Sequence, residues 1–481
     1  MDHALAGRRA RDRSRSTAGP LAALRLAGLG VDGVRGDRPR RAPVRVPRAC
    51  ATARAVGRGR RDRVRAPVLC GGGARPGPQE RHTARVVIGR RLRQQFPTAE
   101  REHVMEPPTP DSLNGEALDA LCERVRKEVE EGPLEAASFA VGLDGEVVFA
   151  RAYGKAAPDT PIVVMSPSKT VQDAALWLLM SEGAVRPEDP VARYVPGFAE
   201  NGKEAVTIEH VMTHTGGFPD APLDWPDWAD RDKRLRAFSA WTLSSAPGSR
   251  YTYHPASGSW VLAEIITQVS GMDHREFLRE RVLKPLGVDG IRGVSLGEPV
   301  ADQVKVLEHV YVLPADTLAA LPPLFNNRDG TVRTPGGLGE PEGRAAGFPG
   351  AGCVGTPSGL ARLYQAYLHN PGGLWDPAVL ADATGRIRVD MPGPRGGRVT
   401  RTLSMYIAGD PADRPGGELA FFGPAVSPRT FGHDGQGGNF VWADPDSGLS
   451  FAFLTNTVTF MPWESNGRAS ELSTIAAGLR S

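Results

Sequence analysis

Two hairpin signals at opposite ends of residues 105–481 constrain the fold more than any other feature. Near the start, Ala137 to Gly142 and Glu146 to Tyr153 flank Leu143-Asp144-Gly145; near the end, Asn439 to Ala443 and Leu449 to Thr455 flank Asp444-Pro445-Asp446-Ser447-Gly448. Each pair lies beside a terminal helix. Leu118, Leu121, Cys122, Val125 and Val129 repeat at helical spacing before the first, and Ala469 to Leu479 follows the second. The economical arrangement is α+β: one antiparallel sheet built from both chain ends and flanked by those helices. The long middle, with helices expected over Thr170 to Ala184, 205–217, Trp260 to Val269 and 357–369, forms a helical lobe, and a cleft separates the two. Residues 315–350, rich in Gly, Pro and Asn, read as an irregular excursion.

Composition sets a boundary ahead of that unit. Residues 1–104 hold 25 Arg, no Lys and 8 acidic residues, a net of +17, whereas residues 105–481 carry −14. The first part has a single aromatic residue, Phe96, and no sustained period of 2 or 3.6, so we read it as a disordered segment that cannot bury enough apolar surface to offset its ordering entropy. A basic arm of this kind would suit nucleic acid or an anionic membrane; the blander reading is an upstream stretch ahead of a start at Met105. No secretory signal follows Met1 or Met105, no run is long enough to span a membrane, and the cysteines show no zinc spacing. The expectation is a cytoplasmic protein without metal or cofactor, whose folded part binds neither nucleic acid nor membrane.

The chemistry starts at Ser166-Pro167-Ser168-Lys169, which opens the apolar segment 170–184. Positions i and i+3 share a helix face, so the Ser166 hydroxyl and the Lys169 amine can touch. A lysine shielded from water loses affinity for its proton and can act as a base, which an arginine cannot. Only seven lysines occur in the chain, and Lys169 alone stands three places after a serine. By itself, such a motif is more often a helix start with a surface lysine.

Two further runs change the balance. Tyr253-His254-Pro255 and His433-Asp434-Gly435 follow Ser166-x-x-Lys169 in order, with flanking text at Thr207 to Gly217, Gly352 to Leu360 and Phe431 to Gly438. Over roughly residues 115–480 the chain resembles the serine β-lactamase and penicillin-binding-protein-like hydrolases, class C-like and of the esterase branch. The resemblance implies acyl transfer through Ser166. Lys169 and Tyr253 would manage the proton, with the base left open between them, and His433 would stand where many members carry a lysine. It also assigns the oxyanion donors to the backbone N–H of Ser166 and of Gln436, the latter on the strand after His433-Asp434-Gly435. Trp225, Trp228, His254 and Gly435 are expected along the substrate cleft, with His254 a supporting or structural residue rather than a catalytic one, and the two tryptophans either lining the cleft or covering a lobe.

Two departures steer the substrate. Pro255 offers no side-chain polar group where the family carries an asparagine, and a neutral His433 anchors an anion more weakly than a lysine. Both shift the expectation from β-lactams to small neutral esters, hence a carboxylesterase acting on a small-molecule ester or amide. The competing readings are a β-lactamase or D-amino-acid peptidase, and a non-catalytic binding protein on the same scaffold. Each residue also has a structural alternative: Tyr253 as a core tyrosine satisfied by backbone, His433 in a Gly-rich turn before a strand, Asp434 in an Asx turn. His210 and His214 have the i, i+4 spacing of a zinc pair but lack the protease pattern, and both read as structural.

Overall fold

The computed structural model describes residues 111–297, 306–307, 309–313, 337–338, 341–414, 417–459 and 462–480, together with the strand Arg85–Ile88. The chain divides after Pro76, and all described residues belong to the unit Gly77–Ser481. Most of the excursion expected over 315–350 and the start proposed at Met105 lie outside the described residues.

The labelled elements are, in chain order, α1 (Gly115–Glu130), β1 (Ala136–Leu143), β2 (Glu146–Gly154), α2 (Ser168–Ser181), α3 (Ser257–Ser270), α4 (Pro357–His369), β3 (Val389–Pro392), β4 (Arg398–Arg401), β5 (Tyr406–Ile407), β6 (Phe431–Asp434), β7 (Phe440–Ala443), β8 (Ser450–Thr455) and α5 (Pro462–Ala477). The eight strands form one sheet in the order β2-β1-β8-β7-β6-β5-β4-β3, every pair antiparallel. The two terminal hairpins therefore meet at β1 and β8, where Phe139 faces Phe453 and Ala137 faces Thr455. The first hairpin turns through Asp144 and Gly145 at φ 52° and 88°, a backbone that an Asp-Gly pair adopts readily.

Alternation then decides what each face buries. Phe139, Val141, Phe440, Trp442, Phe451 and Phe453 point to one side and pack with Leu118, Leu121, Leu472 and Ala476 of α1 and α5. Ala140, Val441, Ala443, Ala452 and Leu454 point to the other and join Leu360, Leu363 and Tyr364 of α4. α1 begins where the Asn114 side chain accepts the Ala117 N–H at 3.1 Å, and α4 where Thr356 accepts from Gly359 at 3.1 Å. α2 is buried at every position from Ser168 to Met180, as befits an apolar helix at the centre of the molecule, and Gly183 at φ 70° follows its end.

The sheet reaches further than the hairpins alone predict. β3, β4 and β5 extend it beyond β6; their sequences, such as Val389-Asp390-Met391-Pro392, are short and mixed in polarity, so no period betrays them. α5 starts seven residues before the expected Ala469, at Pro462, whose fixed φ and missing N–H suit a first helical turn. Within the segment read as disordered, Arg85–Ile88 is a strand paired in parallel with Val310–Leu313. Its Val86-Val87-Ile88 run is β-branched, a local preference that the composition of the whole segment masks. Both strands belong to a separate three-stranded sheet with Thr457–Thr459.

Candidate active site

Ser166 stands two residues ahead of α2, in a turn closed by Ser168 N–H to Met165 O at 2.9 Å and Lys169 N–H to Ser166 O at 3.0 Å. This tight turn preserves the i, i+3 relation of Ser166 and Lys169. Met165, just before it, takes φ 65°, a left-handed conformation that costs a residue with a Cβ on the order of 1 kcal/mol and persists only where surroundings impose it. Those surroundings come from three directions. Val164 N–H donates to Cys353 O at 2.8 Å, and the buried Asn439 amide donates to Val163 O at 3.2 Å. Gly435 lies so close that a Cβ there would stand 2.8 Å from Pro167 Cδ and 3.2 Å from Met165 Cβ. Gly435, expected to line the substrate cleft, thus serves as the contact through which the end of β6 abuts the Ser166 turn.

Lys169 is 4% exposed, with its Nζ donating to Gly350 O at 2.7 Å and lying 4.9 Å from the Tyr253 ring centre. No hydrogen bond joins Nζ to the Ser166 hydroxyl that it could touch; the Gly350 carbonyl is the acceptor that Nζ meets. Burial, aided by the Arg401 charge against the pull of Asp173, brings the amine down to about 7, so near neutrality a large fraction is unprotonated. Tyr253 as a residue is half-buried, but its hydroxyl is fully buried and has no hydrogen-bond partner of ordinary geometry. Burial raises the phenol strongly and a looser interaction with the Ser166 side chain only partly offsets this, so the phenol keeps its proton. The alternative of a core tyrosine satisfied by backbone does not hold.

His433 lies on β6 itself, not in a turn before a strand; its neighbours Phe431 and Asp434 pair with Ala443 and Phe440. Its ring is 1% exposed and 6.1 Å from that of Tyr253, centre to centre. Nδ1 is 2.6 Å from the Asp434 carbonyl, which can only accept, so Nδ1 carries the proton and Nε2 is a bare acceptor. That Nε2 is buried and unpartnered. Burial, then the Arg401 and Lys169 charges, hold the ring well below the usual histidine range, hence neutral. Arg401, on β4, is fully buried with its guanidinium 4.2 Å over the Tyr406 ring, and two of its nitrogens lack partners. No carboxylate among the described residues lies within ion-pair distance of it, so its field favours negative charge developing nearby.

Gln436 sits in the turn between β6 and β7, a correction to its expected place on a strand; Gly437 and Gly438 beside it, at φ 89° and 96°, make that turn too tight for pairing. Neither the Ser166 nor the Gln436 N–H donates to another described residue. His254 was expected to touch substrate, yet it is fully buried and both ring nitrogens are engaged. Nδ1 is 2.6 Å from Thr252 O, and Nε2 accepts the Phe218 N–H at 3.1 Å. Trp228, 2% exposed between Trp260 and Phe348, belongs to the core of the helical lobe and not to a cleft. Trp225 remains half-buried, its ring 4.9 Å from that of Trp228.

Sequence reasoning missed Asn439, Gly350 and Arg401. Asn439 stands one place beyond the flanking run that ends at Gly438. The other two carry no local signal, since only distant contacts give them their position. Among the described residues no group of His, Cys, Asp and Glu is arranged to hold a metal, and His210 accepts the Thr207 N–H as part of a helix cap.

Comparison with known proteins bears on the family and the fold. An esterase/β-lactamase, LipL, of Mycobacterium tuberculosis is 28% identical over 66% of this chain and 76% of its own. Esterase EstB of Burkholderia gladioli is 28% identical over 73% of this chain and 93% of its own. In fold, a penicillin-binding-protein homologue from Caulobacter crescentus matches 76% of this chain and 98% of its own, with a TM-score of 0.58 and 26% identity. A family VIII carboxylesterase matches 75% and 97%, with a TM-score of 0.61 and 23% identity. The Beta-lactamase family model matches residues 122–472, well over half of the sequence, and the chain belongs to that family of serine hydrolases.

Proposed function

We propose that the protein is a carboxylesterase acting on small neutral esters through an acyl-enzyme on Ser166. The observation that carries this reading is the bare, buried Nε2 of a neutral His433. A lone pair repels the carboxylate that a β-lactam or a peptide terminus would present at this position, whereas a neutral ester brings no anion and meets no such repulsion. A relative named as an esterase supports the same choice.

The residues divide the work as follows. Unprotonated Lys169 takes the Ser166 proton, directly or through the Tyr253 hydroxyl, as Oγ forms its bond to the ester carbonyl carbon. The two unpartnered N–H groups, of Ser166 and Gln436, receive the oxyanion, and the buried Arg401 charge adds to its stabilisation. On collapse the C–O bond to the alcohol breaks, and the departing oxygen takes the proton back through Tyr253. Water then enters by the same route in reverse and releases the acid. Among the two candidates, Lys169 is the base, since burial moves its amine toward neutrality and moves the phenol away from it.

The full chain would be offered short p-nitrophenyl esters and a chromogenic cephalosporin, with intact-mass detection of an acyl adduct. Ester turnover with an adduct on Ser166 supports the proposal. Faster turnover of the cephalosporin favours a β-lactamase, and no turnover of either favours a binding protein.

A further inference from the structure

We infer that His214 is a positioning residue for Tyr253, gripping the chain on both sides of it; this rests on the relay role given to Tyr253 above. His214 follows the short helix Ile208–Met212 and takes φ 60°, an unfavourable conformation for a residue with a Cβ. This twist aims its carbonyl and its ring at the same segment. The carbonyl accepts the Thr252 N–H at 3.0 Å, and ring Nδ1 accepts the His254 N–H at 3.1 Å. The residue between those two donors is Tyr253. The His214 ring also lies against the Tyr253 ring, 4.5 Å between centres. The next residue, Thr215, accepts the Gly248 N–H through its carbonyl at 2.8 Å and extends the same anchorage.

Tyr253 needs such a support because its hydroxyl, the group that must meet Ser166, has no ordinary hydrogen bond to hold it. Its place is set from behind, by backbone and ring contacts. His214 supplies two backbone hydrogen bonds and one ring contact, and it shares with Lys169 the wall of one small pocket. Burial keeps the imidazole neutral, which preserves the Nδ1 lone pair; a proton there would set donor against donor. The ring must therefore carry its proton on Nε2.

The test compares His214→Gly, His214→Asn, Tyr253→Phe and the double variant H214G/Y253F in the full chain, with p-nitrophenyl acetate as substrate. Glycine keeps the left-handed turn and removes the ring; asparagine tolerates that turn and places Oδ1 where Nδ1 stood. H214G is expected to lower kcat on the order of 100-fold with KM within about threefold, the signature of a misplaced group rather than lost binding. H214N recovers about tenfold of that loss, and H214G adds nothing to Y253F. His214→Ala repeats the removal with a β-carbon in place, so if either removal variant fails to fold the other decides. An H214G kcat like the wild type, beside an impaired Y253F, overturns the inference and leaves the Tyr253 role intact. Additive losses in the double variant also overturn it. A Y253F at full kcat overturns the relay role and this inference together.

Discussion

The outer layer of the sheet and the seam beneath it treat buried charge in opposite ways. In the outer layer Arg468, 3% exposed, meets Glu128 at 2.7 Å, and Arg124 reaches the same carboxylate at 2.7 Å. In the seam, Lys169 and Arg401 are as deeply buried, yet among the described residues neither has a carboxylate at ion-pair distance, and the Tyr253 hydroxyl and His433 Nε2 have no hydrogen-bond partner of ordinary geometry. A buried charge or polar group without a partner is costly, so natural folds rarely keep several together. The outer layer is arranged for stability. On the function proposed above, a substrate would supply what the seam lacks.

The contrast predicts effects that separate rate from stability. The largest belongs to Ser166. Ser166→Ala should reduce ester turnover by on the order of 10⁴-fold or more and abolish labelling by a fluorophosphonate probe, while the thermal midpoint stays where it was. Undiminished labelling would move the nucleophile elsewhere.

Next comes the pH profile. If unprotonated Lys169 is the base, kcat/KM falls as pH drops through about 7, where Lys169 takes up its proton. The Arg401 charge helps hold that proton off, so Arg401→Met should shift this acidic limb to higher pH. A limb unmoved in R401M, measured on the same ester, would detach Arg401 from the seam's electrostatics.

The smallest effect on rate comes from the outer layer. Glu128→Gln leaves the buried Arg468 without its counter-charge, while Arg124 keeps Glu471 at 2.8 Å, and should destabilise the fold by about 2–3 kcal/mol in denaturant titration, with kcat unchanged. A clear loss of kcat would mean that the two regions are not independent.

Parts of this were legible beforehand. Ser166 and Lys169 are neighbours in sequence, and the flanks of Tyr253 and His433 are distinctive enough to read. The terminal hairpins carry their own turn chemistry, which is why their pairing partners could be anticipated. His254 and Trp228 stayed ambiguous, because a histidine beside a key tyrosine and a tryptophan among prolines look the same in sequence whether they face a cleft or a core. Only the Phe218 N–H and Thr252 O on one, and the packing of Trp260 and Phe348 on the other, reveal the difference. His214 was visible, but its two backbone acceptances span 38 and 40 positions and leave no local trace.

The sequence alone determined the elements whose causes are local: strands bounded by their own hairpin turns, an apolar helix led by a serine and a lysine, turns built on Asp-Gly and Gly-rich runs. The tertiary structure decided which polar atoms end without a partner. That depends on how strands far apart in the chain close over one another, and hydrogen-bond satisfaction is a property of the assembled neighbourhood, not of any segment within it.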